Sequence, residues 1–440
     1  MGNVLSRPAL IMCGLLCGVM ILNIFTLIMP AHWVYAVIAC ALYGGICLFI
    51  MRYAPVGFVL LLWFLFVRFT TMISGIAIES GGFMREILMY GEASGAFVRL
   101  LNVYAAGIIV LAVIIESGVR AFPRFSVQIP ASWVIPVMVG IGLILAGAGF
   151  IGLQYGFPMI TGIDRIYYWR LVDNRFLYFF LGNRSILALL LGVIAVIGGR
   201  WERIAAFILF ITMLVISFLF AEKFTSISIL LFTFVTPFFL LNHDALRALP
   251  RKVFMLGAVL AVLTMPAVLI VYGVFEDKDA AIDRLQVRAT AQAQLWAVAD
   301  KDQREWLQWD QMRINHNIAA MVSWDAEAIS EDPPYLGAKD FMAETMEPAR
   351  YAHYMERGVT FTMASEAYLL KIFGYMGMMP VYAVILMIYA IYLLYLYYSI
   401  QVIDPIRLIF ASKLIVWVNF GLNQGYFWQI MGLKTLFLLS

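Results

Sequence analysis

From Leu177 to Gly198 the chain reads LYFFLGNRSILALLLGVIAVIG, with Arg184 its one charged residue. An α-helix rises 1.5 Å per residue, so about 20 apolar residues cross the roughly 30 Å hydrocarbon core of a bilayer. This run has that length. It is also continuous, whereas the strands of an outer-membrane barrel alternate apolar and polar residues over about 10 positions. Similar runs recur at about 8–30, 31–51, 54–78, 96–117, 132–152, 204–221, 225–242, 253–275, 375–399, 407–423 and 425–440. The expected fold is therefore all-α, a polytopic integral membrane protein of about twelve transmembrane helices. The first run exceeds the short apolar core of a signal peptide, so it is expected to be a span.

Composition agrees. Of 440 residues, 63% are hydrophobic and 13% charged, and the mean hydropathy is +0.90. Soluble domains carry roughly 25% charged residues. A soluble globular enzyme, a nucleic-acid binder and a disordered chain are excluded. Cys13, Cys17, Cys40 and Cys47 all fall in the first two apolar runs and read as small core residues. They form no disulfide framework and, with the histidines, no metal-ligand spacing, so neither metal nor other cofactor is expected.

Orientation follows Lys and Arg in short loops. With the N-terminus in the cytoplasm, the inner loops hold Arg7, Arg52, Arg120, Arg124, Arg200, Arg203, Arg247, Arg251, Lys252 and Arg407. The short outer loops hold half as many: Arg85, Arg165, Arg170, Arg175 and Lys223. The chain thus divides into spans over 1–275 with a short arginine-bearing outer loop at 153–176, a large outer loop at 276–360, and spans over 361–440. More than half of the 27 acidic residues lie in the large loop. Leu285, Leu295, Trp296, Trp306, Trp309, Met312, Ile318, Met321 and Trp324 recur there near helical spacing, which predicts two or three amphipathic helices. Asp332-Pro333-Pro334 breaks them, and a further short helix is expected over 341–357. The halves show no internal repeat.

Two constellations carry chemistry. The outer segment YGFPMITGIDRIYYWRLVDNR, 155–175, concentrates Arg165, Arg170 and Arg175 against the overall charge bias, and Arg184 lies about two turns into the next span. Arg68 and Arg99 fall in the outer halves of other spans. Intramembrane arginines are costly unless paired or facing water, and the planar guanidinium fork suits phosphate oxygens. A lipid diphosphate fits such a cluster; snorkelling, with pairing to Asp164 and Asp173, is the plainer account. The second segment is FTMASEAYLLKIFGYMG, 361–377. Glu366 is the only acid between Glu356 and Asp404, set among apolar residues. Desolvation raises a carboxyl's pKa, which suits a general base; the plainer account is an ion pair with Lys371 or an arginine. His316 and His353, in the large loop, are further candidates for proton transfer.

At these segments the chain resembles the Wzy-type O-antigen or capsule repeat-unit polymerases, membrane-embedded glycosyltransferases related to the O-antigen ligases. The resemblance is architectural along nearly the whole length. It is local at 156–175, at AEKFTS over 221–226, and at 365–377, where Tyr368-Leu369 and Gly374-x-x-Gly377 enter a span. It implies a metal-independent transferase of the bacterial inner membrane, acting at the periplasmic face. Its substrates would be undecaprenyl-pyrophosphate-linked oligosaccharides, and a chain-length regulator and a flippase would be its partners. Arg165, Arg170, Arg175, Arg184, Lys223, Arg357 and Tyr368 would bind substrate; Glu366, His353 and His316 would serve catalysis. Related ligases carry His-Asn where this chain has Ser365-Glu366, which counts against a ligase, the nearest rival. A lipid-linked oligosaccharide flippase is the rival of another class; such transporters often show repeated halves, which this chain lacks.

Overall fold

The computed structural model describes residues 7–29, 31–121, 131–163, 165–222, 224–242, 287–302, 306–356, 360–361 and 364–439. They are helical almost throughout; the single sheet is the two-residue hairpin β1 (Phe83–Met84) and β2 (Met89–Tyr90). Among the described residues nine helices are long and apolar enough to cross a membrane. The sequence-predicted span at 253–275 lies outside the described residues. The run at 225–242 forms a shorter apolar helix, Ser226–Leu240. The run at 425–440 forms no span: Trp428–Met431 and Leu433–Leu439 are two short helices parted by an extended Gly432.

The chain forms two compact units. The first comprises Met1–Ser117, Met265–Ile391 and Trp417–Ser440. Its early helices are α1 (Arg7–Ile28), α2 (Val34–Tyr53), α3 (Pro55–Leu60), α4 (Leu62–Glu79) and α5 (Ala96–Ala121), the last continuing past the unit boundary. Pro55 ends α2 and opens α3, because proline suits the first helical turn and constrains the residue before it. Tyr43 of α2 is fully buried and donates to the Leu65 carbonyl of α4 at 3.2 Å.

The large loop contributes α12 (Gln294–Asp302), α13 (Gln311–Val322), α14 (Ala326–Glu331), α15 (Ala338–Thr345) and α16 (Pro348–Glu356). The break expected at Asp332-Pro333-Pro334 separates α14 from α15. The helix expected over 341–357 is instead two pieces, because Pro348 starts a new helix and biases Glu347 away from helical backbone. Leu295 and Trp296 are core residues, with the Trp296 indole donating to the Ala96 carbonyl at 2.8 Å. Trp306, Trp309, Met312, Ile318 and Trp324, by contrast, face outward.

Helix α17 (Ser365–Val402) begins in this unit and is interrupted at Gly374, with φ 67 and ψ 178. The interruption frees carbonyls that a continuous helix would use. The segment just before α13 takes them up: Gln308 N–H donates to Phe373 O at 3.2 Å and Asp310 N–H to Ile372 O at 3.1 Å. In return Met376 N–H donates to Trp306 O at 2.9 Å, and the Gln308 amide donates to Lys371 O.

The second unit comprises Gly118–Thr264 and Tyr392–Val416. It contains α6 (Val134–Tyr155), α7 (Pro158–Thr161), α8 (Arg165–Val172), α9 (Arg175–Ile197), α10 (Arg200–Leu219) and α11 (Phe224–Leu240). Helices α9 and α11 approach so closely at Gly192 that a Cβ there would lie 2.2 Å from the Phe234 carbonyl oxygen. Phe234 stacks on Phe210 of α10 with ring centroids 3.8 Å apart.

Candidate functional site

In the second unit, the arginine loop is two short helices and their turns. Asn174 caps α9 by accepting from the backbone N–H of Phe176 (2.9 Å) and Leu177 (3.2 Å). That cap sets the start of α9 and places Arg184 between two and three turns along it. At the end of α10, Ala221 adopts a left-handed φ of 55, so the chain turns and brings Glu222 inside.

Glu222 is the meeting point. Its Oε2 lies 3.1 Å from Arg184 Nη2 and 3.4 Å from Arg165 Nη1, and all three side chains are largely shielded. Arg184 Nε donates to the Leu181 carbonyl at 3.0 Å, and the Arg165 guanidinium sits 4.7 Å from the centre of the Trp169 ring. Arg184 Nη1 and Glu222 Oε1 are buried without a hydrogen-bond partner among the described residues. Among the described residues two guanidinium groups thus share one carboxylate, a local surplus of positive charge. Such a cluster can accept an anionic oxygen, because an arginine retains donors after pairing with one carboxylate. Tyr168 is buried in the adjacent helix, and burial raises its hydroxyl pKa.

Arg170 and Arg175 are exposed and do not join Glu222. Lys223 and Asp164 lie outside the described residues, as does Arg357. Glu222 stands in the AEKFTS segment, but nothing local in the sequence marks it as the partner of two arginines.

In the first unit, Glu366 is 2% exposed. Its Oε1 accepts from Arg68 Nη2 (2.8 Å), Arg68 Nε (3.2 Å) and the Tyr382 hydroxyl (2.8 Å), and its Oε2 from the Ser365 hydroxyl (2.8 Å). Arg68 also donates through Nη1 to Asn423 Oδ1 at 3.3 Å, and its guanidinium lies 4.0 Å from the centre of the Phe64 ring. Of the two plainer pairings considered for Glu366, the arginine is the one present. Lys371 turns instead to Asp340 (2.6 Å) and Glu344 (2.5 Å).

The remaining candidates scatter within this unit. The His316 ring is hydrogen-bonded through Nε2 to the Ile329 carbonyl oxygen at 2.8 Å, tying α13 to α14. His353 is exposed on α16. Tyr368 is fully buried, accepts from the Asn317 amide at 3.2 Å and stacks on Phe427. Arg313 binds Asp310, Asp340 and Glu344 together. Burial opposes the Arg313 charge, but Asp340 foremost, with the other two acids, holds its pKa above the ordinary value. Burial likewise works against the Asp310 carboxylate, yet the Arg313 backbone N–H and guanidinium outweigh it and lower its pKa. Arg99 clasps Asp300 with two bonds of 2.6 and 2.5 Å. Among the described residues no group of three or more His, Cys, Asp or Glu is placed to hold a metal ion.

A family of unknown function (DUF6418) matches residues 334–439, the stretch that carries Asp340, Glu366, Tyr382 and Asn423. No curated protein and no solved structure matches the chain.

Proposed function

We propose that the chain is a multi-pass membrane glycosyltransferase that polymerises undecaprenyl-pyrophosphate-linked oligosaccharide repeat units at the periplasmic face of the inner membrane. The growing chain leaves its lipid diphosphate and joins the incoming lipid-linked unit. The observation that carries this reading is the Arg165–Glu222–Arg184 cluster, with its surplus positive charge and the unpartnered Arg184 Nη1. Diphosphate is already a good leaving group, so the protein's task is to bind and orient the charge that develops on it. A guanidinium with an uncommitted donor in a shielded site does this without reorganising. Glu222 holds the two guanidinium groups together and offsets only one of their charges.

Glu366 enters this reading as the partner that positions Arg68, since its oxygens already receive four donors.

The test is polymer formation by the purified chain from a synthetic lipid-diphosphate-linked repeat unit, with donor binding measured in parallel. Arg165→Ala and Arg184→Ala should each abolish the polymer ladder and weaken donor binding while the protein accumulates normally. Arg184→Lys should restore little, because an ammonium cannot reproduce the planar fork. Normal ladders from both alanine variants would remove the diphosphate site from this cluster. Transfer only to lipid A core, or donor movement across vesicles with no ladder from the parent chain, would replace polymerisation by ligation or transport.

A further inference from the structure

Helix α13 is amphipathic in the reverse sense to a helix on a water-facing domain. Arg313, His316 and Asn317 turn inward and find partners there, although Asn317 Oδ1 has none among the described residues. Arg313 pairs with Asp310, Asp340 and Glu344; His316 bonds the Ile329 carbonyl; Asn317 bonds Arg313 O and the Tyr368 hydroxyl. Its outward face carries Met312, Ile318, Ala319 and Val322 beside Gln311 and Asn315. The flanking residues continue this surface: Trp306 and Trp309 are each 65% exposed, and Val322 and Trp324 are 64% and 62%. Four large aromatic or aliphatic groups so placed in water would be a heavy apolar load on one short segment.

The surface is continuous with outward apolar residues of the helices beside it. The Trp324 ring meets Phe437, itself exposed, edge-on at 6.4 Å. Trp306 is hydrogen-bonded through its carbonyl to Met376, whose side chain is exposed at the start of the long part of α17. Tryptophan prefers the headgroup level, where its ring is half in hydrocarbon and its N–H can find a polar partner. Trp309 keeps its indole N–H on Gln311 Oε1 at 2.8 Å while the ring stays exposed.

We propose that residues 306–324 form a membrane-embedded interfacial element. In it α13 lies in the headgroup layer of the bilayer, Val322 and the three exposed tryptophans contact lipid, and the charged network beneath faces away from it. The large loop is then seated in the membrane through this edge. The inference rests on the chain being a multi-pass membrane protein and is independent of the chemistry proposed above. An interfacial helix of this kind buries its apolar face about 5–10 Å below the headgroup boundary.

The test uses the full chain in lipid nanodiscs, its four cysteines replaced by alanine, with a nitroxide attached at Val322→Cys or, as control, at Leu143→Cys. Leu143 is 68% exposed on α6, midway along a candidate span. Collision with oxygen reports lipid, and collision with a water-soluble nickel chelate reports solvent. At position 322 oxygen should dominate several-fold over nickel, with a depth shallower than at 143. Nickel dominance at 322 with oxygen dominance at 143 would overturn the interfacial placement alone. Exclusion of both reagents at 322 would also overturn it, the face then being covered by protein. Nickel dominance at 143 would overturn the membrane reading on which the inference rests.

Discussion

Arg68 and Glu366 form an ion pair that neither could leave without cost. Their exposures are 1% and 2%, and the pair is completed by Tyr382, Ser365 and Asn423. Removing one member of such a pair strands the other charge and costs about 3–5 kcal/mol, whereas replacing both by apolar groups of similar size is close to neutral. Glu366→Gln should therefore lower the thermal stability of the purified chain sharply, and Arg68→Met combined with Glu366→Leu should recover most of it. Thermal unfolding followed by size-exclusion chromatography checks this. A Glu366→Gln chain as stable as its parent, but inactive in the polymer ladder, would instead return Glu366 to the role of general base. Both members of this pair were legible in the sequence as charges in need of a partner, Arg68 within a span and Glu366 after the loop; that they meet was not. An acid alone among apolar residues signals a partner or a function, and Glu366 stood out on that ground. Its partner lies 298 residues earlier, and no local pattern reports a contact over that distance. The same holds for Glu222, whose bonds reach back to Arg165 and Arg184 across two helices.

At the scale of the element, Gly374 is the residue without which α17 would not have its break. Its φ of 67 with ψ of 178 belongs to a region that is essentially glycine's alone. Gly374→Ala should cost about 1–3 kcal/mol. It should also loosen the three backbone bonds between 306–310 and 372–376, seen as faster amide exchange at Gln308, Asp310 and Met376. Unchanged exchange at these amides would show that the break tolerates a side chain. Two glycines three apart at the entry to a span, Gly374 and Gly377, also suit close helix packing. Gly377 does sit against Phe373 and Leu307, but Gly374 serves the backbone. A glycine's two uses, small size and unusual φ, look alike in one sequence. Helix α13, flanked by Trp309 and Trp324, shows a related ambiguity. Helical spacing identified an apolar stripe correctly but not the medium it faces, because periodicity has a phase only once the charged partners of Arg313 are known.

For the molecule as a whole, apolar run length foretold the helical class and nine of the candidate spans, because hydrocarbon thickness imposes a length that composition reveals directly. It overreached at 425–440, where Gly432 ends one short helix; Tyr426, Phe427, Trp428 and Ile430 pack within the first unit, while Leu436 and Phe437 are exposed. The proposed orientation expects a periplasm-dependent reporter to be active when fused after Ala328 and silent when fused after Leu246. The reverse pattern would put the Arg165–Glu222–Arg184 cluster in the cytoplasm and with it exclude a periplasmic polymerase. The hydrogen bonds across Gly374 also limit how the molecule can move. Residues 306–310 are joined on three backbone bonds to the place where the long part of α17 begins. Residues 306–310 are therefore no free lid on slack tethers: any displacement of α13 must either break these bonds or carry the start of the long part of α17 with it, like a door leaf moving with its post.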